Sequence, residues 1–209
     1  MHGPHNPAPF VQAIKLMKRL SIYLFLVLFT LQTPSQADDI RDFQIEGISL
    51  GDSALKHFNA DELTIFEEGY SSKEFSTATV TSSSFTQYEA LQISFKTGDS
   101  KYKIVDITGN VDKDYKLCLK ELSGIDDELS NMFKDVIKAD AKEYPHPVDK
   151  SGETKITDII WQFSSGELIL AQCYNWKSKY GRKHDHVDGL KISISTKEFD
   201  YFLLHDAWK

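Results

Sequence analysis

The chain has two cysteines, Cys118 and Cys173, and the apolar residues around each repeat with a different period. Tyr115, Cys118, Leu122, Ile125, Leu129, Met132, Phe133 and Val136 recur at threes and fours, the buried stripe of an amphipathic helix. Ile169, Ala171 and Cys173 alternate, as one face of a strand does. Both thiols therefore point toward a core, one from a helix and one from a sheet. A disulfide between them would staple the two together and stabilise the fold by about 4 kcal/mol through loop closure. That pairing is the expectation. The alternatives are two buried small hydrophobes that never meet and, third, a catalytic cysteine, which an apolar stripe disfavours because burial raises the thiol pKa and hides the sulfur.

A disulfide needs an oxidising compartment, and the N-terminal residues supply an address for one. Lys15, Lys18 and Arg19 make a positive region, Leu20 to Leu31 an apolar one, and Thr33-Pro34-Ser35-Gln36-Ala37 a helix-breaking end with small residues where a signal peptidase reads. Residues 1–37 thus read as a secretory signal peptide cleaved after Ala37, with Met17 a more usual start than Met1. The apolar run falls short of the roughly 20 residues that cross a bilayer, and no cysteine stands at the cleavage site to carry a lipid. Residues 38–209 are expected to form one exported domain, periplasmic or secreted. No later segment is long and apolar enough to span a membrane.

Charge narrows the partners. The whole chain carries 31 acidic against 24 basic residues, a formal −7, and removing the leader takes away three basic residues and no acid. Such a surface repels phosphate backbones and anionic lipid, which argues against nucleic acid and membrane surfaces. It suits a basic protein, a cation or solubility alone, and the partner expected is a basic protein or an envelope component. No cofactor is implied, and the oligomeric state is not legible.

The patterning predicts strands at Phe43 to Leu50, Phe75 to Val80, Phe85 to Phe95 and Tyr102 to Val111, with a hairpin turn at Lys96-Thr97-Gly98-Asp99-Ser100. Short helices are expected after Gly51-Asp52-Ser53 and from Asp61, and a long one from about Asp112 to Ile137. Lys138 to Thr154 reads as a polar loop, because Tyr144-Pro145-His146-Pro147 disfavours helix and strand alike. A second hairpin, Ile156 to Phe163 with Glu167 to Trp176, is followed by a loop from Lys177 to Asp188, a strand from Gly189 to Ser195 and a closing helix capped by Thr196. The two hairpin turns share an aromatic, a spacer, a glycine and an acid, which hints at internal duplication but follows equally from turn chemistry. The fold class expected is α+β: an antiparallel sheet packed against one long amphipathic helix, with short N- and C-terminal helices.

The opening Phe43-Gln44-Ile45-Glu46-Gly47-Ile48-Ser49-Leu50-Gly51-Asp52-Ser53-Ala54-Leu55-Lys56-His57-Phe58 and the closing Asp188-Gly189-Leu190-Lys191-Ile192-Ser193-Ile194-Ser195-Thr196-Lys197-Glu198-Phe199 resemble the two end motifs of a group of uncharacterised exported bacterial proteins. The resemblance covers residues 38–209, including one cysteine in the helix and one in the late strand, and carries no activity with it. The strand-Gly-Asp/Ser-helix opening is also similar to that of BamE-like envelope domains over about twenty residues, an analogy of fold that does not license function.

One constellation has candidate chemistry. In His184-Asp185-His186-Val187-Asp188 two imidazoles two residues apart could hold zinc or copper with Asp185 or Asp188. Arg182 and Lys183 beside them oppose a cation, and a solvated loop is the plainer reading. There is no Gly-x-Ser-x-Gly elbow, phosphate loop or His-Glu-x-x-His pair, so no catalytic residue is assigned. The acidic pairs Asp61 with Glu62, Glu67 with Glu68 and Asp126 with Asp127 read as solvated faces. His57 and His205 read as helix-end residues, and Trp161, Tyr174 and Trp176 as core or a ligand platform. The preferred function is a non-enzymatic binding or interaction module of the cell envelope. The alternative is a metal-binding protein or hydrolase using the His184 to Asp188 loop.

Overall fold

The computed structural model describes residues 39–66 and 70–209, with the backbone alone at 64–66. The signal peptide, its cleavage after Ala37, the start at Met17 and the pair Glu67 and Glu68 lie outside the described residues. Those described belong to one compact unit.

Eight strands form one antiparallel sheet: β1 (Thr64–Phe66), β2 (Phe75–Val80), β3 (Leu91–Lys96), β4 (Ile104–Asp112), β5 (Ile137–Pro145), β6 (Lys155–Gln162), β7 (Leu168–Asn175) and β8 (Gly189–Ser195). Their order is β1-β2-β3-β4-β8-β7-β6-β5. Two four-stranded meanders therefore lie side by side, joined where β4 pairs β8 from Asp106↔Ser195 to Asp112↔Gly189. The helices are α1 (Tyr115–Met132), α2 (Lys179–Lys183) and α3 (Lys197–His205). The two hairpins that look alike in sequence join β3 to β4 and β6 to β7. These are the third and fourth strands of one meander but the second and third of the other, so they are not equivalent places.

The α+β expectation is corrected: the fold is mostly β. Its helices are short beside an eight-stranded sheet, and of the long helix expected from Asp112 to Ile137 only Tyr115–Met132 is helical. The threes-and-fours stripe runs on through Phe133, but Phe133 is extended (φ −111°, ψ 109°) and its N–H closes the last turn on the Leu129 carbonyl. Phe133 stays buried by packing edge-on against Phe163, ring centroids 4.9 Å apart. An apolar stripe reports burial, and burial continued where the helix did not.

Other expectations also fail for local reasons. The strand at Phe43 to Leu50 is instead a tight turn in which Ile45 and Ile48 exchange backbone hydrogen bonds at 3.1 and 3.0 Å. Glu46 and Gly47 both take positive φ, 51° and 78°, as that turn requires. From Asp61 the chain leads into β1 rather than a helix. Ile137–Pro145 is a strand, not a loop: β5 is the sheet edge, and Pro145 is its last residue, where a missing N–H costs no ladder bond. The Lys177 to Asp188 loop contains α2.

The core lies on one face of the sheet. Ile93, Ile107, Ile194, Ile169 and Trp161 stand in register across β3, β4, β8, β7 and β6, each at 0% exposure. Cys118, Leu122 and Leu129 of α1 and Ile45, Ile48 and Leu50 of the N-terminal turn belong to the same cluster. Cys118 and Cys173 form a disulfide across it, with Cα atoms 5.8 Å apart. A smaller cluster, in which Phe199 and Phe202 of α3 meet Phe75 and Val105, lies on the opposite face.

Candidate binding face

Strand alternation decides which side chains this opposite face presents. On β7 it sends Ile169, Ala171 and Cys173 into the core, all fully buried, and Leu170, Gln172 and Tyr174 the other way. Pairing extends each of these across the sheet. Lys142, Asp158, Gln172, Lys191 and Asn110 stand in one row over β5, β6, β7, β8 and β4. Four strand spacings make that row about 19 Å long. On one side of it Ile160 pairs with Leu170, and on the other Tyr144 and Tyr174 both pair with Ile156.

The face is partly open. α3 sits over Phe75 and Val105. Beneath the neighbouring strands runs a buried polar ladder: Thr77 to Ser94 at 2.9 Å, Thr108 to Ser193 at 2.9 Å, and Ser195 donating to Asp106. Farther along, Ile160, Leu170, Lys191, Asp158 and Tyr174 are half-buried and Asn110 and Lys142 exposed, while Ile156, Leu168 and Gln172 between them are buried. Half-exposed Ile160 and Leu170 on β6 and β7, whose neighbours Ile159, Trp161, Ile169 and Ala171 on the other face are buried, mark a surface that α3 leaves uncovered.

Polar groups in the row are oriented by one another. Tyr144 donates its hydroxyl to Asp158 Oδ2, Gln172 Nε2 donates to the same oxygen at 3.4 Å, and Tyr174 donates to Gln172 Oε1 at 2.7 Å. Burial, with the Asp158 charge beside them, pushes both phenols well above their ordinary pKa. They therefore remain protonated donors across physiological pH.

A cluster of rings borders the row at the end of the sheet where β5 meets β6 and β7 leads to β8. Trp176 lies two residues beyond Tyr174, parallel to it within 4° at 5.9 Å. His146 approaches Trp176 to 4.5 Å and His186 to 4.3 Å, while Tyr180 and His184 lie 4.4 Å apart. Burial, His186 and Lys191 hold the His146 pKa below its usual value, against a pull upward from Asp149. Asp149 fastens this end: it accepts the backbone N–H and hydroxyl of both Ser151 and Thr154, and Thr154 bonds Ser178, the N-cap of α2, at 2.6 Å.

The metal candidates fall at the edge of this cluster. His184 and His186 are exposed, with rings 6.0 Å apart. Asp185 takes positive φ, 54°. Asp188 is occupied within the fold, accepting the Trp176 N–H at 2.6 Å and lying 3.4 Å from Lys177 Nζ. Among the described residues no group of three His, Cys, Asp or Glu could hold a metal ion. Elsewhere His57 lies 3.4 Å from Asp52, Asp126 pairs with Lys138 at 2.6 Å, Trp161 is core, and the His205 ring is tilted against Tyr201 at 4.4 Å. His146, Tyr144, Asp158 and Tyr180 escape a reading of the sequence. The signal that could have found the first two is the parity of Lys142, Tyr144 and His146, legible only once β5 is recognised as a strand.

A cleft of about 980 Å³ opens at the far end of the sheet, lined by acids and bases in mixture. Its charges are largely neutralised within the fold: Asp39 grips Arg41, Glu198 pairs with Lys96 at 2.6 Å, and Asp99 accepts the N–H groups of Lys101 and Lys103 at 2.9 Å. It is a polar seam with no unpaired carboxylate pair for acid–base work.

No helix among the described residues is long and apolar enough to cross a membrane. No protein family, curated protein or solved structure matches this chain.

Proposed function

We propose that this chain is an exported, non-enzymatic binding module of the cell envelope, periplasmic or secreted, and that the uncovered sheet face is its binding surface. The observation that carries the reading is the half-exposure of Ile160, Leu170 and Tyr174 on interior strands whose other face buries Ile159, Trp161, Ile169, Ala171 and Cys173. A leader-like N-terminus and the Cys118–Cys173 disulfide support export, because such bonds persist in oxidising compartments. Ordered polar groups on a rigid sheet suit recognition. The row holds two ammonium groups for one carboxylate, so the partner is an envelope component other than a basic protein.

Photo-crosslinking in cells tests this. A photoreactive residue placed at Lys191 or Asn110 should capture an envelope component, and one at Glu128 on α1 should not. Equal capture at all three positions, or none, would count against the face.

A further inference from the structure

We propose that the Lys142–Asp158–Gln172–Lys191–Asn110 row takes an oligosaccharide chain. This rests on the binding-face reading above and names its ligand class. Sugar hydroxyls both donate and accept, so a site for them mixes donors with acceptors. The row does so: the ammonium groups of Lys142 and Lys191 and the amide of Asn110 stand beside the carboxylate of Asp158, and the buried amide of Gln172 between them orients that carboxylate. Asp158 and Gln172 are held in place by Tyr144 and Tyr174, which fixes their remaining hydrogen-bonding positions before a ligand arrives.

Sugar rings also present apolar C–H faces, and the row is bordered to match. Half-buried Tyr144, Tyr174 and Trp176 flank one side, half-buried Ile160 and Leu170 the other. A few oriented polar groups among apolar and aromatic walls is the general pattern of small-ligand sites. The length of about 19 Å set by four strand spacings fits several linked sugars rather than one.

Other occupants fit less well. A basic protein would meet Lys142 and Lys191. A phosphate-bearing polymer would meet only those two cations on a chain whose formal charge is −7. A peptide strand would need free backbone groups, which a sheet offers at its edge and not on its face.

The test is titration of the full chain, expressed in an exporting host, with cellotetraose, chitotetraose and maltotetraose, followed by calorimetry and by amide shifts in nuclear magnetic resonance spectra. At least one sugar should shift amides of β6, β7 and β8. Asp158→Asn and Lys191→Ala should each weaken that binding tenfold or more, and Tyr201→Ala on α3 should leave it unchanged. Lys142→Ala, at an exposed edge position, provides a variant that does not disturb packing and should also weaken binding. Shifts confined to α1 or to the polar cleft would overturn the proposal. So would the absence of shifts with all three sugars: if Lys191 then cross-links to an envelope protein, the saccharide assignment falls and the face stands, and if it captures nothing, both fall.

Discussion

Glu46 reaches forty residues along the chain to hold Thr86: its two carboxylate oxygens accept the Thr86 N–H at 3.0 and 2.9 Å. One of them also accepts the N–H of Gln87 at 2.6 Å and of Tyr88 at 3.1 Å. The N-terminal turn that closes one side of the core is thereby fastened to the loop between β2 and β3. Burial acts to raise the Glu46 pKa, but the Thr86, Gln87 and Tyr88 hydrogen bonds outweigh it and leave the carboxyl below its usual value.

A folded-state pKa below the unfolded one gives stability that is present above the unfolded pKa and lost as pH falls through the folded one. Glu46 should therefore make the protein lose stability on acidification below the ordinary glutamate range. Glu46→Gln should cost about 1–2 kcal/mol at neutral pH and flatten that part of the profile. Urea unfolding at a series of pH values measures both effects.

Removing the Cys118–Cys173 disulfide, which closes a loop of 55 residues, should destabilise the domain by about 3–5 kcal/mol. The double Cys118→Ala, Cys173→Ala variant and denaturant unfolding give the number. Thiol labelling of the unfolded, unreduced protein should mark neither cysteine.

Gly181 decides whether α2 can lie against Trp176. A Cβ there would run into the Trp176 backbone carbonyl, which cannot move aside as a flexible side chain can. Gly181→Ala, a change that favours an exposed helix by about 1 kcal/mol, should here be destabilising and lift α2 away. A red shift in fluorescence, read with Trp208 replaced by Phe so that only Trp176 and the fully buried Trp161 emit, would report it.

His146 should titrate below the ordinary histidine range, since burial, His186 and Lys191 all oppose its charge. Its folded pKa lies under the unfolded one, so its contribution to stability is full above the unfolded value and lost as pH falls. Replacing His186 by Ala should move the His146 pKa upward. Imidazole carbon shifts followed against pH give each value directly.

Much of the sheet was legible because its signals are local. Phe75–Val80 and Gly189–Ser195 have the predicted bounds, since β-branched and alternating residues end at turn residues on both sides. Cys118 and Cys173 were legible as a pair through their two periods. What escaped depends on position in the sheet. Pro145 is tolerated because β5 is an edge, and edge status is set by strand order, which no window of sequence contains. With β5 read as a loop, Tyr144 and Lys142 had no face, and the row they complete could not be seen. His186 was found and His146 missed, although both lie against Trp176.

The central proposal is that the face bearing Lys142 and Lys191, which no other element among the described residues covers, is covered by a partner in the envelope. Amine labelling of the protein in intact cells, compared with the purified chain and read lysine by lysine, tests it most directly. The account predicts that Lys142 and Lys191 are protected in cells while exposed Lys116 and Lys120 on α1 label equally in both. Equal labelling of all four lysines in the two states would contradict it.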